Sequence, residues 1–460
     1  MSRKLSFQLD DESNDLVNRY EQFLSGKASG YFDVEELESI FEYYLRRGRT
    51  MDCNSAIDFG LQLHPNNNAL KTKRAKIYLA TGDDLKAFRV LDSLTETTDY
   101  ETILLKIEVL IKLDRIKDAQ VLCEKLMSNE SDDLDNVCLD IAYIFIGEGD
   151  YEIALDYLEK GDEFNNKNQD LLSEMAFCHE QIEDFDSAIE TNKRIIDIDP
   201  FASEAWFNLG QLHFALQEFN KALEAYEYAL AIDDKDSLTC LQKAHVHFQL
   251  DQFEEAIETY LDYKKMNDFN SWQTDIFIGE SYEKMEKYDE SIRYYKQSLE
   301  VHPDNYDALT GIAICLLEQE KFAESMTYIQ SALLINNESP DAWVYMAEAF
   351  IGLNQVDDAL LAYLKSITFD PDQPDTLMAI GNICMERAEF ELAVKYYTAA
   401  RKLDISLEYV ELFLAVSYFK LDKIPEASMH FRLSILDSEE TFEMFHELCP
   451  EAKNSVFFEL

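Results

Sequence analysis

Small and apolar residues recur along this chain at one fixed spacing. Ala142, Ala176, Gly210, Ala244, Gly279, Ala313, Ala347, Gly381 and Ala415 follow one another at 34 or 35 residues. A second series, Ala119, Ala154, Ala188, Ala222, Ala256, Ser291, Ser325, Ala359, Ala393 and Ala427, keeps the same rhythm. Each series sits inside a segment with helical apolar periodicity, so each unit of the rhythm predicts two helices that cross too closely to admit a larger side chain. Units start at 37, 68, 100, 135, 169, 203, 237, 272, 306, 340, 374 and 408. The first two steps, 31 and 32 residues, mark the units at Leu37 and Asn68 as divergent, and the spacing is regular from Asp135 onward. Counted from these starts, the two small series occupy positions 8 and 20. Pro200, Pro303 and Pro371 fall behind second helices, where a residue without an N–H ends the element. Ser339-Pro340 opens a helix as a cap followed by a first-turn proline.

The unit from Ser203 to Asp234 carries Trp206, Leu209, Gly210 and His213, then Ala222, Tyr226 and Ala229. This order resembles the tetratricopeptide repeat, a 34-residue unit of two antiparallel helices. Only His213 departs from it, standing where the family has Tyr. The resemblance implies an all-α solenoid, a right-handed superhelix of about twelve helix-turn-helix units with atypical ends, in which each unit covers its neighbour's apolar face. It also implies a binding scaffold without naming what is bound. On this reading residues 1–36 form a tail and a leader helix capped by Ser13 or Asn14, 37–437 the repeats, and 438–460 a closing helix over Glu439–Leu448 followed by an apolar tail, Val456–Leu460. That tail is either a ligand for the groove or packing for the closing helix.

Composition narrows the chemistry. Hydrophobic residues make up 47% of 460, while 13 Gly and 8 Pro are too few for a disordered or turn-rich protein. The net charge of −50 disfavours nucleic acid and anionic membranes, and it suits either a solvated acidic surface or a basic partner. Eight cysteines without a Cys-x-x-Cys pair read as small buried hydrophobes in a reducing compartment. No apolar run approaches the roughly 20 residues of a membrane span, and residues 1–12 lack the core of a secretory signal. A cytoplasmic protein is expected.

No Gly-rich phosphate loop, His-Glu-x-x-His or nucleophile elbow is present, so neither an enzyme nor a cofactor is expected. Gly147-Glu-Gly149-Asp150 reads as a turn between paired helices. His179, His213 and His247 share position 11 of successive units, which places them about 8–10 Å apart and too far to share one ion. They read as substitutes for the family's Tyr.

In the family, positions 2, 5, 9 and 12 of the first helix line an inner groove. Carried over, these give an aromatic, apolar stripe: Leu139, Tyr143, Ile146, Phe177, Phe207, Gln211, Phe214, Leu241, His245 and Phe248. An acidic stretch follows: Glu280, Glu283, Asp307, Asp341, Glu348 and Asp375, with Asn382. Either superhelical curvature buries the aromatics between first helices, or they anchor a partner segment while the acids select Lys or Arg. Among the basic residues only Lys76, Lys112, Lys284 and Lys420 reach such positions, too scattered to clamp a partner's terminal carboxylate. The expected function is a non-enzymatic scaffold that binds a basic or apolar protein segment; the alternative is a regulatory or sensor subunit that controls an enzyme or binds a small ligand.

Overall fold

A computed structural model describes residues 14–27, 30–94, 99–267, 271–437 and 440–454. The stretch read as a tail at 1–12 and the apolar tail Val456–Leu460 lie outside them. The described residues hold helices and turns with no strand, in two compact units, Met1–Gln217 and Glu218–Leu460.

The first unit runs α1 (14–24), α2 (Val34–Arg46), α3 (Thr50–Leu63), α4 (Asn68–Ala80), α5 (Asp84–Asp92), α6 (Tyr100–Lys112), α7 (Ile116–Asn129), α8 (Leu134–Glu148), α9 (Tyr151–Phe164), α10 (Gln169–Gln181), α11 (Phe185–Ile198) and α12 (Ser203–Ala215). The second runs α13 (Phe219–Ile232), α14 (Ser237–Gln249), α15 (Phe253–Met266), α16 (Ser271–Lys284), α17 (Tyr288–Val301), α18 (Tyr306–Glu318), α19 (Phe322–Ile335), α20 (Pro340–Gly352), α21 (Val356–Phe369), α22 (Pro374–Glu386), α23 (Phe390–Leu403), α24 (Val410–Lys420), α25 (Ile424–Asp437) and α26 (Glu440–Leu448). Within each unit a helix packs on the next one in sequence, and first helices also touch first helices, α8 with α10 and α16 with α18. That is the α-solenoid arrangement.

Local chemistry sets the helix starts. Side chains of Asn67, Asp99, Asn168, Asp236, Asn305 and Ser339 cap first helices by accepting a backbone N–H. The first repeat begins three residues before Leu37, because Asp33 and Glu36 form a reciprocal capping box that starts α2 at Val34. At the other end α24 begins at Val410, behind Tyr409 at φ 60°.

The ten small residues at position 20 are all fully buried, at 0% exposure. Position 8 is buried in every repeat from Ala142 to Ala415. Position 15, between paired helices, is left-handed throughout: Gly48, Gly82 and Gly149, but also Asp114, Glu183, Gln217, Asp251, Glu286, Glu320, Asn354, Ala388 and Asp422. Gly149 thus forms the turn expected of the Gly147–Asp150 stretch. All eight cysteines are buried and unpaired. Burial pushes the thiols of Cys123, Cys138 and Cys449 up to about 11, and those of Cys178 and Cys315 up to about 12.

Candidate functional site

In the first unit the signature positions of α8 and α10 face inward, while Tyr143 and Phe177 remain 46% and 40% exposed. The Tyr143 hydroxyl lies near the Glu174 carboxylate, and Phe177 meets the Tyr151 ring edge-on at 6.0 Å. Burial, then the charge of Glu174, holds the Tyr143 hydroxyl above its usual pKa. Leu139 is buried, and Ile146 is half-buried against the same core. Phe207, Gln211 and Phe214 lie half-buried on α12.

In the second unit, Leu241 and Phe248 are half-buried against the core of Ala244, Ile257 and Tyr260. His245, expected on the groove, is half-buried and also takes part in packing. The Tyr260 hydroxyl lies 2.7 Å from its Nδ1, and Phe277, from the next first helix, stands edge-on at 4.8 Å. Burial lowers its pKa, so the ring is neutral near pH 7. His247, two residues on, turns to Gln252 Oε1 at 2.7 Å, and His213 is likewise buried. His179 approaches Asp184 at 3.5 Å.

The acidic residues divide by environment. Glu280 and Glu283 share one face of α16, three residues apart. With Phe248, Tyr295, Asp307 and Gly311 they line a recess of about 280 Å3 between α14, α16, α17 and α18. Glu283 accepts the Tyr295 hydroxyl at 2.9 Å. Burial raises its pKa, with the Tyr295 bond and Lys284 opposing. Burial first, then the charges of Glu283 and Asp307, push Glu280 up to about 7, against the pull of Lys284. Asp341 and Asp375 are solvent-exposed. Glu348 keeps solvent contact too, yet the protein around it, followed by Glu318, raises its pKa. Asn382 accepts the Tyr397 hydroxyl at 2.7 Å.

Three of the four basic positions are engaged: Lys76 with Glu101, Lys112 with Glu148 and Lys420 with Glu451. Lys284 alone stands beside the recess. No group of the described residues has the three His, Cys, Asp or Glu side chains that could hold a metal ion, and no described helix is long and apolar enough to cross a membrane.

Tyr295 and Gly311 were not among the sequence candidates. Tyr295 occupies position 24, which the signature assigns to packing. The available signal was Gly311 itself: a Cβ there would lie 2.4 Å from the Tyr295 ring, so the glycine makes room for that ring.

Stacked helix pairs, buried small residues at the crossings and first-helix faces only partly consumed by packing define the class of α-solenoid repeat proteins. Family profiles described as tetratricopeptide repeat match residues 145–212, 203–236, 238–271 and 278–342. Those segments of the chain are tetratricopeptide repeats. Among solved structures it is similar to YrrB, a tetratricopeptide-repeat protein with an unusual peptide-binding site (18% identity, 42% of this chain and 98% of that one, TM-score 0.35). It is also similar to a tetratricopeptide-repeat protein from Parabacteroides merdae ATCC 43184 (16%, 55% and 98%, TM-score 0.41). A third likeness is to a chain of the APC/C hetero-tetramer Cut9-Hcn1 (12%, 90% and 94%, TM-score 0.40). No curated protein sequence matches.

Proposed function

We propose that this chain is a non-enzymatic interaction scaffold whose first helices capture a segment of a partner protein. Tetratricopeptide repeats serve protein interaction in general; the finer reading rests on this chain's own residues. The observation that carries it is the split within α8 and α10. Ala142 and Ala176, which set the fold, are buried, whereas Tyr143 and Phe177, one residue further on and 34 apart, stay exposed. Large aromatics left in water at the same register of successive repeats favour association, because covering apolar surface is worth about 25 cal/mol per Å2. Within the second unit by itself, acidic residues on the first helices favour a partner segment with basic side chains.

The test is a double substitution, Tyr143→Ala with Phe177→Ala, in the full chain. Each aromatic anchor contributes about 1–2 kcal/mol, so affinity for a captured partner should fall at least tenfold while far-UV circular dichroism stays unchanged. Undiminished affinity would remove the aromatic face from the mechanism.

A further inference from the structure

We infer that the recess beside Phe248 is a docking pocket for one lysine side chain of the partner segment. This deepens the scaffold reading and rests on it. The lining joins apolar surface, from Phe248 and Ile314 beside the buried Tyr295, to the carboxyls of Glu280, Glu283 and Asp307, with Lys284 and Thr310 at its edge. That combination matches a side chain with an apolar stem and a charged tip. The volume, about 280 Å3, lies just below the ~300–1,000 Å3 of small-molecule sites, so one side chain suits it better than a free ligand. The apolar part of the lining disfavours a bare divalent cation, which takes oxygen ligands on all sides.

Charge complementarity selects the occupant. Glu280 makes no hydrogen bond or ion pair among the described residues, and Lys284 is the only basic residue on the lining. Glu283 is held in place by the Tyr295 hydroxyl at 2.9 Å, so one acceptor of the pair is fixed before a partner arrives. Three carboxyls lining one recess suit the three N–H donors of an ammonium better than the planar fork of a guanidinium. An incoming ammonium also relieves the mutual repulsion of Glu280, Glu283 and Asp307, which contributes to holding a proton on Glu280.

The experiment uses the full chain at pH 8 and a fluorescein-labelled peptide, Gly-Ala-Leu-Ala-Lys-Ala-Leu-Ala-Gly, with analogues carrying norleucine or arginine at the central position. Anisotropy titration should show the lysine peptide binding at least tenfold more tightly than the norleucine peptide. Glu280→Gln should abolish that preference, and Glu324→Gln, an exposed charge on α19, should preserve it. A preference below twofold, one that survives Glu280→Gln, or tighter binding of the arginine peptide overturns the lysine pocket. A captured partner that is kept by Glu280→Gln but lost by Tyr143→Ala with Phe177→Ala also overturns it, and leaves the scaffold reading standing.

Discussion

Glu280 offers a direct measurement of what the recess costs the fold. Its carboxyl titrates at about 7 rather than 4.5, first through burial and then through Glu283 and Asp307. The folded chain therefore holds this proton more tightly than the unfolded chain does. Stability from this group is complete below pH 4.5 and is lost as the pH rises through 7. A shift of that size corresponds to about 3 kcal/mol at pH 8, and residual solvent contact reduces the expectation to about 1–2 kcal/mol. Glutamine keeps the shape and cannot ionise, so Glu280→Gln should stabilise the protein at pH 8. At about 2–4 °C per kcal/mol for a unit of this size, the thermal midpoint by circular dichroism should rise by roughly 2–8 °C. At pH 5 the gap should shrink to about a quarter, because that pH lies only about half a unit above the unfolded pKa and the folded carboxyl still holds its proton. An equal gap at both values, or none at pH 8, would refute the argument that charge in the recess is what the fold resists.

Gly311→Ala should destabilise the second unit by about 1–3 kcal/mol, read as a lower thermal midpoint, since the new methyl meets the buried Tyr295 ring at 2.4 Å. Ala388→Gly should stabilise the fold by about 0.5–1 kcal/mol, read as a higher thermal midpoint, because alanine at φ 59° sits in the left-handed region where glycine pays no steric penalty. Tyr295→Phe removes one hydrogen bond to Glu283, costing about 1 kcal/mol of stability, and should weaken the lysine peptide several-fold without altering the norleucine peptide.

The crossings were readable because steric exclusion leaves a mark in composition. Where two helices touch, only Gly, Ala or Ser fits, and the ten residues at position 20 sit at zero exposure. The start of the first repeat was less readable, because the Asp33 and Glu36 capping box overrides the register of the apolar positions. The left-handed turn residue leaves no comparable mark, since Asp, Glu, Gln, Asn and Ala all occupy it and the surrounding helices hold them there. The candidate groove was legible only in part. Tyr143 and His245 carry equally plausible sequence signals, yet Tyr143 is exposed and His245 is half-buried. The difference comes from Phe277, 32 residues further along, whose ring closes on His245. Packing between successive first helices, not the helix itself, decides which groove positions stay open.

The signature and the candidate site are therefore not separate sets of residues. In three repeats the tyrosine at position 24, on the second helix, reaches across to a polar residue of its own first helix: Tyr260 to His245, Tyr295 to Glu283 and Tyr397 to Asn382, at 2.7, 2.9 and 2.7 Å. Its ring fills the space between helices, as the fold requires, while its hydroxyl needs a partner once buried. A buried hydroxyl left alone costs about 1–3 kcal/mol, so a polar residue at position 9 or 12 serves stability before it serves any ligand. The partner's identity then sets what the first-helix face can do. Neutral His245 is consumed by the contact, and Asn382 commits its carbonyl oxygen. Glu283 has a second oxygen and a charge that one tyrosine cannot neutralise. Where the same architectural tyrosine meets a glutamate with Glu280 beside it, the fold's own hydrogen bond leaves an acidic residue oriented and still unsatisfied, which is the condition for recruiting a cation from outside.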